Sequence, residues 1–529
     1  MAFIMLILYI LSKVAELLRL INTIMKITFL VPPPIDGKIP ERVAGCAYLL
    51  YYVPNVFLLS AAAVLEKEGY EVKYIETTIK KWDQKRFRAF LREDLSDIYC
   101  FYSVNLSQKT DIQALCDIRE IRGNVPIVYF GPAPSDRPAE FVVDENSYVV
   151  RGEPEYTMLE LVKALEAKSI INGIQSVSFR NKSRTHISHG LMKNTPPQSP
   201  PSQGGEAGVE NTFSDEIVHN ANREPIEDLD SLPFPARHLL EERNVYYNPK
   251  LGMRPFTAVC TSRGCSYRCI YCVPSSLSFS RELEYKHYME KKPPVRKRSP
   301  ENIIEEFKLL KSQGYKAVNI QDDQFVWGEE RTVKICEGIR DLDIIWGCSA
   351  RSDHLTEPIV KAMAEAHCKF IDLGVESFNQ KILDYVKKDI DVKKNEEAIK
   401  LVKKYGISAK INIMFGASPL ETMDTIKKNM EEVKRLKVDQ VMYNIANPFP
   451  GTEFYKIAKE NELFVYGDYK PVNVAKEANI AYPHLGKTDL EKAVRRANFE
   501  FFLTPRFILK NIRRLGSLDS LKAMFRKLF

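Results

Sequence analysis

From Met25 to about Lys168, short apolar runs alternate with longer amphipathic ones. Lys26–Val31, Glu71–Ile75, Asp97–Tyr102, Pro126–Phe130 and Tyr148–Val150 read as strands, and Val56–Gly69, Lys109–Ile121 and Glu155–Glu166 as helices. Alternating strands and helices predict an α/β fold with a parallel, doubly wound sheet. Such sheets bind ligands beyond the carboxyl ends of their strands, where Val31-Pro32-Pro33-Pro34, Ser103–Leu106 and Gly131-Pro132-Ala133 fall. The alternation resumes at Phe256. Phe256–Cys260, Ala317–Gln321, Ile344–Cys348, Phe370–Val375, Ala409–Phe415 and Gln440–Ala446 read as strands, with helices such as Glu301–Gln313, Thr356–Glu365 and Glu421–Leu436 between them. Beyond about Tyr469 the pattern turns helical, over Thr488–Leu503, Arg506–Leu515 and Leu518–Phe529.

This pattern divides the chain into an apolar N-terminal helix (1–24), a first α/β domain (25–168), a connector (169–248), a second α/β domain (249–470) and a basic helical C-terminal region (471–529). Residues 1–24 lack the basic start and small-residue cleavage site of a signal peptide. Lys13, Glu16 and Arg19 interrupt them as a membrane span. They read as an amphipathic helix lying on a membrane or on the protein, or as sequence upstream of a start at Met25. Within the connector, Asn194–Gly208 is rich in Pro, Ser, Gln and Gly, and a disordered insertion is expected near 190–222.

Composition adds two points. Ten cysteines are scattered except at one loop, which excludes a secreted disulfide framework and suits a reducing cytoplasm. The net charge of +7 is uneven, because Lys492–Phe529 carries ten Lys/Arg against two Asp/Glu. The basic excess therefore says little about the rest of the chain.

The loop is Cys265-Ser266-Tyr267-Arg268-Cys269-Ile270-Tyr271-Cys272, which follows the strand at Phe256. Three thiolates at this spacing can hold three irons of a cubane, whereas an electron-transfer cubane is closed by a fourth cysteine. An open iron points to chemistry on a bound small molecule. A zinc knuckle with Cys260 as fourth ligand is the alternative, but zinc ribbons bring a second Cys pair and none follows.

The octapeptide, with Tyr271 before its last cysteine, resembles the signature of radical S-adenosylmethionine (SAM) enzymes. That resemblance implies a [4Fe–4S] cluster on Cys265, Cys269 and Cys272. Its open iron would chelate SAM and split it to a 5′-deoxyadenosyl radical. The resemblance also implies a partial (βα)6 barrel. Ile127–Pro132, Val149–Glu155 and Ile226–Arg237 resemble the cobalamin-binding branch of this family, in which a Rossmann-like domain precedes the barrel. They make Gly131, Pro132 and Gly152 candidate cobalamin contacts. Phe130 stands where the family often has a first glycine. A domain that has lost its ligand is the alternative there, and the absence of G-x-G-x-x-G argues against a dinucleotide.

At the barrel strand ends the resemblance makes Asp322, Asp323, Arg351, Glu376, Ser377 and Gly416 candidate contacts to SAM or substrate. Arg351 could meet a carboxylate bidentately, and at most one of Asp322 and Asp323 should point inward. Leu420 replaces the glycine usual in Gly-x-Pro-Gly-Glu-Thr. His287, His354 and His367 read as surface or core residues. No histidine lies in 25–168, so cobalamin would bind without one below the cobalt.

The expected activity is methylation of an unactivated carbon or phosphorus on a small-molecule or lipid-like substrate. An electron donor such as a flavodoxin or ferredoxin is implied. Rival readings are a cobalamin-dependent rearrangement or cyclisation, an RNA-modifying enzyme, and a non-catalytic cobalamin or iron–sulfur sensor. The apolar residues beside Arg506, Lys510, Arg513 and Arg514 suggest a peripheral membrane contact at the cytoplasmic face and argue against a nucleic acid partner.

Overall fold

Strands β1 (Lys26–Val31), β2 (Glu71–Glu76), β3 (Ile98–Tyr102), β4 (Ile127–Phe130) and β5 (Ser147–Val150) pair in parallel. Helices α1 (Val56–Lys67), α2 (Gln84–Glu93), α3 (Gln108–Arg122), α4 (Pro132–Asp136) and α5 (Pro154–Glu166) connect or follow them. The computed structural model describes residues 24–43, 48–49, 51–181, 217–272, 282, 284–285, 289–291 and 294–509. The expected N-terminal helix therefore lies almost wholly outside the described residues. So do the core of the insertion, at 182–216, and the last stretch of the tail.

β3, β4 and β5 are buried at every position, which is why they read as continuous apolar runs. A parallel sheet is covered on both faces. The strand order β2-β1-β3-β4-β5 reverses between β1 and β3, and a doubly wound sheet opens its ligand crevice at that switch. The sheet does not stop at residue 168. β6 (Val177–Arg180) and β7 (Ile217–His219) extend it antiparallel beyond β5. Two parts of the expected connector, one inside the expected insertion, are thus strands. Their few residues are paid for by the hydrogen bonds of an existing edge.

The second domain contains β8 (Phe256–Val259), a short ladder of β9 (Ser262–Arg263) with β10 (Arg296–Lys297), α6 (Pro300–Ser312), β11 (Ala317–Ile320), α7 (Glu329–Ile339) and β12 (Ile345–Ala350). α8 (Glu357–Glu365), β13 (Cys368–Glu376), α9 (Gln380–Tyr385), α10 (Val392–Lys404), β14 (Ser408–Phe415), α11 (Met423–Arg435), β15 (Gln440–Ile445) and α12 (Glu453–Glu460) follow. Its six-stranded sheet runs β8-β11-β12-β13-β14-β15, all parallel, with β8 and β15 as unpaired edges. Its six strands fall on the six apolar runs and match in number the partial barrel that the resemblance implies. α13 (Lys487–Phe502) packs on β15 and α11, burying Leu490, Ala493, Val494, Ala497 and Phe501.

The domains share a core. α1 buries Val56 through Leu65. It belongs to one apolar cluster with Tyr246 of the connector and Leu251, Phe256, Ala258, Ala317 and Phe370 of the second domain. Around that cluster run buried ion pairs. Arg263 reaches Glu153 at 2.5 Å and Glu155 at 2.6 Å, and Arg296 reaches Glu153 at 2.9 Å. Arg237 pairs with Glu306 at 2.7 Å, and Arg298 caps the same carboxylate. Burial alone would raise the Glu306 carboxyl, but Arg298 and Arg237 outweigh it and hold it below the usual range.

Candidate active site at the cysteine loop

Because β9 leaves β8 at the carboxyl end of the barrel, the cysteine loop is anchored at its start. Asp322, just past β11, accepts from the Thr261 amide at 2.6 Å, the Thr261 hydroxyl at 2.5 Å and the Ser262 hydroxyl at 2.6 Å. Burial raises its carboxyl despite these bonds. Gly264 then turns with φ +91°, where a Cβ would lie 2.9 Å from the Pro294 carbonyl, so only glycine fits. Ile270, buried within the loop, donates its amide to the Val386 carbonyl at 3.1 Å and accepts from the Phe454 amide at 3.0 Å.

Tyr267 lies between the first two cysteines. Its hydroxyl meets His354 Nε2 at 2.5 Å, while His354 Nδ1 lies 3.0 Å from the Val326 carbonyl. Gln324 Nε2 also lies 3.0 Å from His354 Nδ1, so the imidazole is held from both ring nitrogens. The Arg351 guanidinium stacks 3.4 Å from the centre of the Tyr267 ring.

Burial pushes the Cys265 thiol up to about 11. Burial, with Cys269 and Cys265 nearby, raises Cys272 further. Among the described residues no group of three or more His, Cys, Asp or Glu side chains is gathered tightly enough to hold a single metal ion. Lys388, buried and 3.3 Å from Glu376, faces this loop. Burial lowers its ammonium, but Glu376 and the cysteines outweigh that and leave it raised and charged.

The strand-end candidates divide. Asp323 and Tyr271 lie beside the cysteines and act on their thiols or feel them. Glu376 ends β13 at a bulge with φ +63°, a left-handed conformation that non-glycine residues rarely adopt. Asp322 instead braces the loop. Arg351 is a brace as well, bound to Asp353 through two bonds of 3.0 Å and to the Lys388 and Asp389 carbonyls at 3.0 Å. Its fork is already occupied, so the carboxylate contact expected of it is not available. Ser377 is fully buried. It donates to Asn429 at 3.3 Å and accepts from the Asn379 amide at 3.1 Å, capping a turn. Gly416, at φ +81°, packs against Leu490 of α13 and donates its amide to Glu421. Glu421 is wholly buried, and burial pushes its carboxyl up to about 8. Below the loop, Asp372 holds Lys250 at 3.3 Å, Asn412 at 2.8 Å and Lys410 across the inside of the barrel.

In the first domain Gly131 has φ +110°, and a Cβ there would lie 2.8 Å from the Ser103 carbonyl. This glycine lets the loops after β3 and β4 touch, with Pro132 opening α4. Gly152 lies next to that helix, its amide donating to the Ser135 hydroxyl at 3.1 Å, and its other side meets Glu284. The Arg151–Glu155 run therefore joins the loop after β4 to the seam between the domains.

A cavity of about 1310 Å³ opens between the domains, lined by Gln108, Arg137 and Glu140 on one side and by Cys265, Cys269 and Tyr469 on the other. It exceeds the roughly 300–1,000 Å³ of ordinary small-molecule pockets. Sequence reasoning missed Lys388, Tyr267, His354 and Arg137 as parts of the site. Tyr267 alone carried a signal, its place inside the cysteine motif.

Residues 259–433 match the family described as the Radical SAM superfamily, and that span takes in the cysteine loop. Residues 259–433 thus carry a radical SAM domain, and the two-domain fold is shared with solved structures of cobalamin-dependent SAM radical enzymes. The solved structure of the cobalamin-dependent SAM radical enzyme OxsB, with aqua-cobalamin and SAM bound, covers 95% of this chain and 70% of its own, at a TM-score of 0.65 and 16% identity. An uncharacterized methyltransferase of Pyrococcus horikoshii is 28% identical over 92% of this chain and 95% of its own length. The anaerobic magnesium-protoporphyrin IX monomethyl ester cyclase of Cereibacter sphaeroides is 24% identical over 81% of this chain and 64% of its own length.

Proposed function

We propose that this protein is a radical SAM enzyme that uses cobalamin to methylate an unactivated carbon or phosphorus of a small-molecule or lipid-like substrate. The observation that carries this reading is the cavity of about 1310 Å³, which sets Cys265 and Cys269 opposite Gln108 at the start of α3 and Asp136, Arg137 and Glu140 at and beyond the end of α4. When bound, the cluster and SAM supply a hydrogen-abstracting radical and cobalamin supplies a methyl carrier. The chain's own part is to hold and shield. Cys265, Cys269 and Cys272 hold the cluster, and Tyr267, Arg351 and His354 fix the loop. Lys388 places a positive charge beside thiolates, and Asp323 and Glu376 offer acceptors for an ammonium group. The loops at Val31–Pro34, Ser103–Ser107 and Gly131–Ala133 offer a surface for cobalamin.

A second reading, cyclisation without methyl transfer, draws on the likeness to the cyclase. Anaerobic turnover with methyl-labelled SAM and a cell extract separates the two. Label in a new product supports methylation. Deoxyadenosine released with no label transferred supports cyclisation, and no SAM cleavage removes both. A small acidic flavodoxin or ferredoxin is the proposed electron source. The basic, apolar C-terminal end supports peripheral contact with the cytoplasmic face of a membrane. Among the described residues no helix is long and apolar enough to cross one.

A further inference from the structure

The end of the barrel opposite the cysteines carries a second cavity, of about 630 Å³. It is built where the strands begin, from Ile345, Lys369, Ser408 and Gln440 at the starts of β12 to β15, with Lys250 and Met253 arriving from the segment before β8. Strands of six to nine residues rise about 3.3 Å per residue, so it lies some 20–30 Å from the cysteine loop. A molecule bound here does not meet the reacting atoms.

The cavity is cationic. Lys250, Lys369, Lys403 and Arg506 line it, and Asp439 is its sole acid. Asp439 is already committed, since it accepts the Ala409 amide at 3.0 Å and lies 3.7 Å from Arg506. Lys250 spends part of its charge on Asp372, and Lys403 donates to the Leu436 carbonyl at 2.9 Å. Lys369 and Arg506 are exposed at the mouth. Met253, which lines the cavity, is 43% exposed, and within three residues of Arg506 in the chain Leu503, Ile508 and Leu509 are exposed at 44%, 37% and 69%. Past Leu509 the sequence goes on to Lys510, Arg513 and Arg514.

We infer that this cavity and these apolar residues seat the protein on an anionic lipid bilayer, the cavity taking a phosphate headgroup and the apolar residues entering the interface. A soluble anion would need the cations but would give exposed Leu and Ile no role. Cations beside aliphatic residues match the two layers of a bilayer surface, charge outside and hydrocarbon within. The inference rests on the peripheral contact proposed above and not on the radical chemistry. It has a geometric consequence, because a barrel seated on its floor points its cysteine end away from the bilayer.

Flotation of the full-length protein with vesicles tests this. Vesicles of phosphatidylcholine alone are compared with vesicles containing 30% phosphatidylglycerol at low salt. Binding is expected only to the anionic vesicles, and Lys369→Glu with Arg506→Glu is expected to lower it by about 600-fold, since each basic residue near an anionic surface is worth roughly fivefold and reversing its charge squares that to about 25-fold. Lys308→Glu with Lys361→Glu, on α6 and α8, serves as the charge-matched control and is expected to bind like wild type. If wild type ignores anionic vesicles, the membrane contact itself fails. If wild type binds but the double variant binds equally, the contact stands and this seat is wrong. If millimolar inorganic phosphate abolishes binding to the cavity while vesicles never engage it, the site belongs to a soluble phosphate compound and the inference is overturned. Iron content and SAM cleavage of the double variant, measured without vesicles, are expected to match wild type and confirm that it is folded.

Discussion

Glu421 is the residue whose environment is most at odds with its chemistry. Its carboxyl is wholly buried and accepts the Gly416 amide, yet burial still pushes it up to about 8. A carboxyl with a folded value above its unfolded one favours the fold while protonated. The contribution is complete below the unfolded value of 4.5 and is lost as pH rises through about 8. Denaturation midpoints of wild type are therefore expected to fall between these limits, with a slope of up to about 1.4 kcal/mol per pH unit, relative to Glu421→Gln. A parallel pair of curves would contradict this. At the cysteines, replacing any one of Cys265, Cys269 or Cys272 by Ala is expected to abolish the iron–sulfur absorption and SAM cleavage after anaerobic reconstitution. Zinc retained equally by wild type and variant, with no iron in either, would return the loop to the zinc knuckle. Arg351→Lys is expected to keep the charge but lose the fork on Asp353 and the stack on Tyr267. Iron should then be held less firmly during gel filtration, with little change in overall fold.

At the scale of elements, the alternation of apolar and polar positions made the strands and many of the helices legible. Continuous runs such as Ile98–Tyr102 can only be strands covered on both sides. β6 and β7 were not legible, because Val177–Arg180 and Ile217–His219 are too short to show a period and pair only across a long intervening stretch. The three thiols were legible because their spacing is local. The bracing roles of Arg351, Ser377 and Asp322 were not, since each depends on a partner that only the fold brings near. The second role of the run Arg151–Glu155 was hidden for the same reason: its carboxylates answer Arg263 and Arg296. Glu153→Gln leaves two buried guanidinium groups poorly matched, so it is expected to cost about 3–5 kcal/mol in chemical denaturation. A loss below about 1 kcal/mol would show that the seam is wetter than its burial implies.

For the whole molecule, the arrangement bears on how cobalamin sits. Among the described residues of the first domain, His219 is the sole histidine. It ends β7, bonded to Ser178 at 2.8 Å. Four strand spacings separate β7 from β3, roughly 19 Å in all, so His219 is out of reach of the switch between β1 and β3. Bound cob(II)alamin is accordingly expected to give an electron paramagnetic resonance spectrum without nitrogen splitting from a protein base. A triplet splitting that collapses to a doublet when the protein's histidines carry nitrogen-15 would refute it.

The seam has a consequence in time as well as in space. Glu153 leaves the ribosome 110 residues before Arg263 and 143 before Arg296. At 5–20 residues per second, its partners follow about 5–30 s later. Throughout that interval the newborn first domain keeps two hydrated carboxylates on the face it will later bury. A wet, charged face resists sticking to neighbouring nascent chains. The same acids that fasten the finished halves together thus guard the unfinished one until its own mate has been synthesised.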